Sequence, residues 1–146
     1  MNGIELFLLG RTLTKLGEQA IPEPGGRHST SNRSVLIVAA DIRENPGTSV
    51  GEIAERTGFP QSKVSACVAR LREAGAVQTA ADPADRRRLL IRPAGRVSPR
   101  VAAVRAADVA DVLAAALGPD ALAEVTAALD TLARHLTPGT VARVRT

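Results

Sequence analysis

The sequence predicts a mainly α-helical chain with one small β-hairpin, an α+β fold. Three observations carry that prediction. Apolar residues recur at helical spacing through most of the 146 residues. Two short stretches, 76–80 (AVQTA) and 88–92 (RLLIR), have strand character and flank the polar turn Asp82-Pro83-Ala84-Asp85. Aromatic residues make up only 1% of the chain, Phe7 and Phe59, so its core must be built from Leu, Val, Ile and Ala.

The first expected helix covers 4–20, with Ile4, Leu6, Phe7, Leu8, Leu9, Leu13 and Leu16 spread round much of its circumference. A short helix that is apolar on several sides needs more than one packing partner. Residues 21–33 (IPEPGGRHSTSNR) are rich in Pro, Gly and Ser and read as a loop. Ser34 can cap a second helix through Glu44, with Val35, Leu36, Val38, Ala39 and Ile42 as its apolar set. Asn45-Pro46-Gly47 ends it. A short helix over 49–57 turns Val50, Ile53 and Ala54 inward, and Ser49 and Glu52 have the S-x-x-E spacing of a capping box. The next helix runs from Pro60 or Gln61 to Glu73, with Val64, Cys67, Val68 and Leu71 on one face and Gly75 as its stop. After the hairpin, Pro93, Gly95 and Pro99 mark a loop, and one long helix is expected over 100–117. Pro119-Asp120 opens a last helix to Leu136, striped by Leu122, Val125, Leu129, Leu132 and Leu136. The tail after Pro138 is expected to be loose.

Residues 50–68 (VGEIAERTGFPQSKVSACV) carry the residue types of a helix-turn-helix. Small Ala54 suits the crossing of the two helices, and Gly58 suits a left-handed turn. Val64 and Val68 lock the second helix to the first. The outward face of that second helix is then Gln61, Ser62, Lys63, Ser65, Ala66, Ala69 and Arg70, polar or small side chains suited to a major groove. The hairpin that follows has the tip Asp82-Pro83-Ala84-Asp85-Arg86-Arg87-Arg88. Adjacent arginines on an exposed ribbon repel one another by up to roughly 1 kcal/mol per pair. A phosphate backbone or a narrow minor groove would relieve that repulsion, whereas on a solvated turn Asp82 and Asp85 would simply neutralise it.

With these features in place, residues 34–97 resemble the MarR-type winged helix-turn-helix regulators. The resemblance is carried by SVGEIAERTGF, SKVSACVARLREAGAV and DPADRRRLLIRPAG. Helices 4–20, 100–117 and 120–136 resemble that family's dimerisation helices. The implied organisation is an N-terminal dimerisation helix and loop (1–33), a DNA-binding winged helix (34–97) and C-terminal dimerisation helices (98–146). The implied function is sequence-specific transcriptional regulation, as a repressor, by a homodimer on a pseudo-palindromic operator. Recognition helix 61–73 and wing 80–92 would read double-stranded DNA. The expected contact set is Ser34, Gln61, Ser62, Lys63, Ser65, Ala66, Arg70, Arg86, Arg87 and Arg88. Arg86 matches the residue that reaches the minor groove, Arg70 a phosphate contact, and Asp85 with Arg87 a pair that stiffens the wing. Two departures from the family pattern stand out. Arg92-Pro93 replaces the usual Leu-Thr pair, and Pro60 replaces a Ser or Thr. Similar proteins often release DNA when a small aromatic or anionic ligand binds, so a small-molecule effector is a further candidate partner.

Charge supports a polyanionic partner. The chain has a net charge of +4, unevenly placed: residues 61–100 are +6 and residues 101–136 are −3. The scarcity of aromatics argues against stacking on single-stranded bases. Low-specificity architectural DNA binding and protein interaction through the winged helix are the alternative readings. No catalytic set is visible, so an enzyme is not expected. Cys67 is the only cysteine, which excludes an internal disulfide, and its place on the inward helix face points to packing. His28 and His135 belong to no spaced ligand set, and Gly25-Gly26 is an isolated pair, so neither metal nor cofactor is expected. The start Met1-Asn2-Gly3-Ile4-Glu5 lacks the cationic region of a secretory signal, and no apolar run is long enough to span a membrane. A cytoplasmic location is the corresponding expectation.

Overall fold

The computed structural model describes residues 1–22, 30–137, 139–140 and 144. His28, the Gly25-Gly26 pair, most of the expected 21–33 loop and most of the tail after Pro138 lie outside them. The elements are α1 (Gly3–Ala20), α2 (Asn32–Glu44), α3 (Val50–Thr57), α4 (Gln61–Glu73), β1 (Val77–Ala81), β2 (Leu89–Pro93), α5 (Pro99–Arg105), α6 (Ala110–Leu117) and α7 (Pro119–His135). They form two compact units, Ile21–Ala107 and Met1–Ala20 with Asp108–Thr146. No described helix is long and apolar enough to cross a membrane.

The unit Ile21–Ala107 is a winged helix-turn-helix. Helices α2, α3 and α4 close round Val38, Ile42, Ile53, Val64, Cys67, Val68 and Leu71, and Ala76, Val77 and Ile91 join that core. Strands β1 and β2 pair antiparallel, with Thr79 opposite Ile91 and Ala81 opposite Leu89. Both strands begin one residue later than the sequence suggests. A third short strand element was not legible: Thr48, between α2 and α3, bridges Ile91. Its N–H and that of Gly47 both donate to the Ile91 carbonyl, at 3.2 and 2.9 Å, and Ile91 N–H donates back to Thr48 at 2.7 Å. The hairpin is thereby sewn to the helix-turn-helix.

Local rules explain most of the boundaries. Ser49 and Glu52 form the expected capping box at α3. Gly58, with φ of 73°, ends that helix in the left-handed region and donates to Ala54. Gly75 and Ala76 end α4 by donating to the Arg72 and Leu71 carbonyls, a Schellman closure. Ser98 caps α5 and also donates its hydroxyl to the Ala74 carbonyl. Val101 of α5 packs on the winged-helix core, so residues 98–107 belong to this unit.

Two expectations are corrected. The cap of α2 is Ser31, not Ser34, because Ser31 reaches back to accept from the Ser34 N–H. The single helix expected over 100–117 is two helices, α5 and α6, separated at 106–109. There the Asp108 carboxylate accepts from the Ala110 N–H at 2.9 Å. A short acidic side chain that bonds the backbone two residues on competes with helix propagation.

The second unit holds α1, α6 and α7. Among its described residues only Leu113 is buried, while Ile4, Phe7, Leu132 and Leu136 are exposed. Phe7 is 64% exposed, in a helix whose sequence is apolar round much of its surface.

Gly58→Ala is expected to lower the stability of the helix-turn-helix by about 1 kcal/mol in urea unfolding. A methyl group there would meet nothing within 4 Å, so the loss would come from backbone conformation alone. An unchanged midpoint would contradict the left-handed turn.

Candidate nucleic-acid interface

Helix α4 separates its two faces cleanly. Val64, Cys67, Val68 and Leu71 are buried, and Gln61, Ser62, Lys63, Ser65 and Ala66 are exposed. The exposed group occupies the first turns of the helix, whose N-cap Pro60 has no side-chain bond to offer. Proline there fixes the entry backbone, and its carbonyl accepts from the Lys63 and Val64 N–H groups at 3.0 and 3.1 Å. Lys63 is not a free-swinging cation. Its Nζ lies 4.1 Å from the centre of the Phe59 ring, a cation–π contact that restrains the ammonium near the helix start. Burial pushes the Cys67 thiol up from its ordinary value, against the lowering influence of Lys63 and Arg70. A thiol kept protonated inside the core is a packing group.

The hairpin tip is a built turn. The Asp82 carboxylate accepts from the Ala84 N–H, and the Asp85 carboxylate from the Arg87 N–H. Asp82 N–H donates to the Arg88 carbonyl, and Arg88 N–H to the Asp85 carbonyl, both at 2.9 Å. Arg86 and Arg87 are exposed. The side-chain pair expected between Asp85 and Arg87 is replaced. The Asp85 carboxylate accepts from the backbone N–H of Arg87, and the ion pair of the wing runs from Arg88 Nη2 to Glu52 Oε1 at 2.5 Å.

Behind that pair lies a chain of polar contacts. Glu52 Oε2 accepts from the Ser49 N–H at 2.8 Å, the Ser49 hydroxyl at 3.1 Å and the Thr48 hydroxyl at 3.2 Å. The Thr48 hydroxyl in turn accepts from Arg56 Nη2 at 2.6 Å. Arg56 holds both carboxylate oxygens of Asp41 on α2, at 2.9 and 2.7 Å. Asp41, by hydrogen bond and charge, raises the Arg56 pKa above its ordinary value. The Glu52 carboxyl is held down to about 2, first by the Arg88 guanidinium and then by the Ser49 N–H.

Two expected contact residues sit elsewhere. Ser34 is 3% exposed and its hydroxyl is paired with that of Ser31, so it is not available to DNA in this conformation. Arg70 is partly buried, donating to the Thr30 carbonyl at 2.8 Å and to Asn32 Oδ1 at 2.6 Å. It ties α4 to the start of α2. Sequence reasoning missed Thr48, Arg56 and Asp41. Only the capping-box spacing of Glu52 signalled any part of the chain. No group of three or more His, Cys, Asp or Glu side chains able to hold a metal occurs among the described residues.

The geometry defines a winged helix-turn-helix with a polar exposed face on α4 and a basic wing tip. Residues 32–88 match the MarR family. The chain is similar to an uncharacterized HTH-type transcriptional regulator, YcgE, of Bacillus subtilis strain 168. The two are 37% identical over 93 residues, covering 63% of this chain and 57% of that protein. The chain thus spans little more than half the length of that curated relative. Among solved structures it is similar to apo MarR of Escherichia coli, with a TM-score of 0.56 at 14% identity, over 91% of this chain and 97% of that one. It is also similar to BpsR of Bordetella bronchiseptica, a protein whose DNA binding is regulated by 6-hydroxynicotinic acid. There the TM-score is 0.51 at 19% identity, over 94% of this chain and 95% of the other. At these identities the solved structures speak to fold alone.

The depressed Glu52 pKa predicts a pH dependence. A carboxyl whose folded value lies below its unfolded one stabilises the fold above the unfolded value and loses that contribution as pH falls through the folded one. The stability gap between wild type and Glu52→Gln should therefore be full above pH 4.5 and close as pH falls toward 2. Urea unfolding at a series of pH values measures it, and a gap that stays constant across that interval would contradict the ion pair.

Proposed function

We propose that the protein is a sequence-specific double-stranded DNA-binding transcriptional regulator, a cytoplasmic repressor that occupies a pseudo-palindromic operator as a homodimer. The observation that carries this reading is the exposed set Gln61, Ser62, Lys63, Ser65 and Ala66, lying opposite the buried face of α4 and followed in the chain by exposed Arg86 and Arg87. Side chains of this size and polarity suit base edges and phosphates in a major groove. Two arginines on a ribbon suit the electronegative minor groove beside it. Charge points the same way, since the net +6 of residues 61–100 would favour phosphate neutralisation.

The apolar residues left exposed on α1 and α7 support the dimer. Ile4, Leu6, Phe7 and Leu8 of α1, with Leu132 of α7, would be covered by the same helices of a second copy. Two recognition helices related by a two-fold axis read half-sites one helical turn, ~34 Å, apart. A small-molecule effector remains a partner to screen for, read as loss of duplex affinity.

Selection of bound duplexes from a random pool should recover a pseudo-palindrome, and recovery of no preferred sequence would favour a low-specificity architectural binder. Lys63→Ala should shift sequence preference and weaken binding to the preferred site by about 1–3 kcal/mol. Arg86→Ala should lower the salt slope of binding by about 0.9 per lost phosphate contact. Affinity indifferent to both substitutions would contradict the assigned surface. Phe7→Glu should convert the protein from dimer to monomer in sedimentation, and a wild type already monomeric at micromolar concentration would remove the dimer.

A further inference from the structure

We infer that Glu52 and Arg88 are a positioning pair for duplex binding, in which Arg88 holds the wing in place and does not itself contact DNA. The inference rests on the duplex-binding reading above. In sequence, Arg86, Arg87 and Arg88 are equivalent. In the fold they are not: the first two are exposed, while Arg88 is partly buried and ion-paired. Arg88 is also the residue that closes the tip turn, through its carbonyl to Asp82 and its N–H to Asp85. Whatever fixes Arg88 therefore fixes the base of the turn that carries Arg86 and Arg87.

Glu52 is suited to that task because it is itself held. Its other oxygen is bonded by Ser49 N–H, Ser49 Oγ and Thr48 Oγ1, and Thr48 continues through Arg56 to Asp41. The anchor for the wing is thus the start of α3 and, through it, α2. A second bond runs from Arg88 Nη2 to Ser49 Oγ at 3.5 Å. If Arg88 swung out to a phosphate, it would leave the Glu52 carboxylate without its cation, close to a polyanion. Electrostatics disfavours that exchange.

The two roles predict opposite results. Removing a carboxylate near DNA strengthens binding by charge alone, and would do so further if it released Arg88 to a phosphate. Positioning predicts that Glu52→Gln weakens binding instead. Glutamine can still accept at the third helical position, so the capping box and the fold should survive. The experiment measures affinity for the selected duplex and for a mixed-sequence duplex of equal length, across a salt series. It compares wild type, E52Q, R88Q and the double variant. Each single substitution should weaken binding by about tenfold, with the double no weaker than either single. The salt slope should stay at the wild-type value in all three.

Hydrogen exchange of the free proteins supplies an independent readout: amides of the 82–88 turn should lose protection in both single variants. A slope lowered by R88Q, tighter binding by E52Q, additive losses or unchanged wing protection would each overturn the positioning role. Absence of duplex binding by the wild-type protein would overturn the DNA reading as well, and would be seen before any variant is compared.

Discussion

Thr48 is the constraint on which the winged helix depends. It is 3% exposed, and it has two tasks that no helix or hairpin performs alone. Its backbone pairs with Ile91, which ties the second wing strand to the segment between α2 and α3. Its hydroxyl donates to Glu52 and accepts from Arg56, so both of its bonding capacities are used inside the protein. A buried hydroxyl left unbonded would cost about 1–3 kcal/mol, and here each partner is itself an ionised group paired further along. The wing, α3 and α2 are thereby held as one frame. The exposed start of α4 and the arginines of the tip are carried on that frame.

The basic residues of this unit divide between structural ion pairs and exposed positions. Arg56 and Arg88 are neutralised by Asp41 and Glu52, and Arg70 is turned toward Thr30 and Asn32. These cations serve the structure. Three of the exposed cations, Lys63, Arg86 and Arg87, lie where the proposed duplex contact needs them. With so few aromatics, each stretch of fold rests on small aliphatic side chains and on caps. The α1, α6 and α7 unit differs, since among its described residues it buries only Leu113 and leaves a phenylalanine and several leucines exposed.

Much of this was legible in the sequence. Helical periodicity located every long helix, Gly58 and Gly75 marked real left-handed stops, and the Ser49–Glu52 spacing was a true capping box. The face of α4 was readable because its apolar residues recur at i, i+3, i+4 and i+7, which leaves the others outside. What could not be read were contacts between residues distant in sequence. Nothing local announces that Thr48 will pair with Ile91, or that Glu52 will meet Arg88. Three consecutive arginines look alike until the hairpin register gives each a different environment. Ser34 was misplaced because a serine three residues earlier was available as the cap. The break at 106–109 was hidden by alanines, which favour a helix and mask a single aspartate that interrupts it. Gln61, Ser62, Lys63, Ser65, Ala66 and Arg86 are assigned to the proposed duplex contact by exposure and resemblance.

The most direct measurement of the central claim is amide chemical-shift mapping of the full chain titrated with a mixed-sequence duplex at low salt. The account predicts the largest perturbations at Gln61–Ala66 and at the 85–87 turn, with the exposed face of α7 unaffected. Perturbations absent from α4 and the wing, or concentrated on α7, would contradict it.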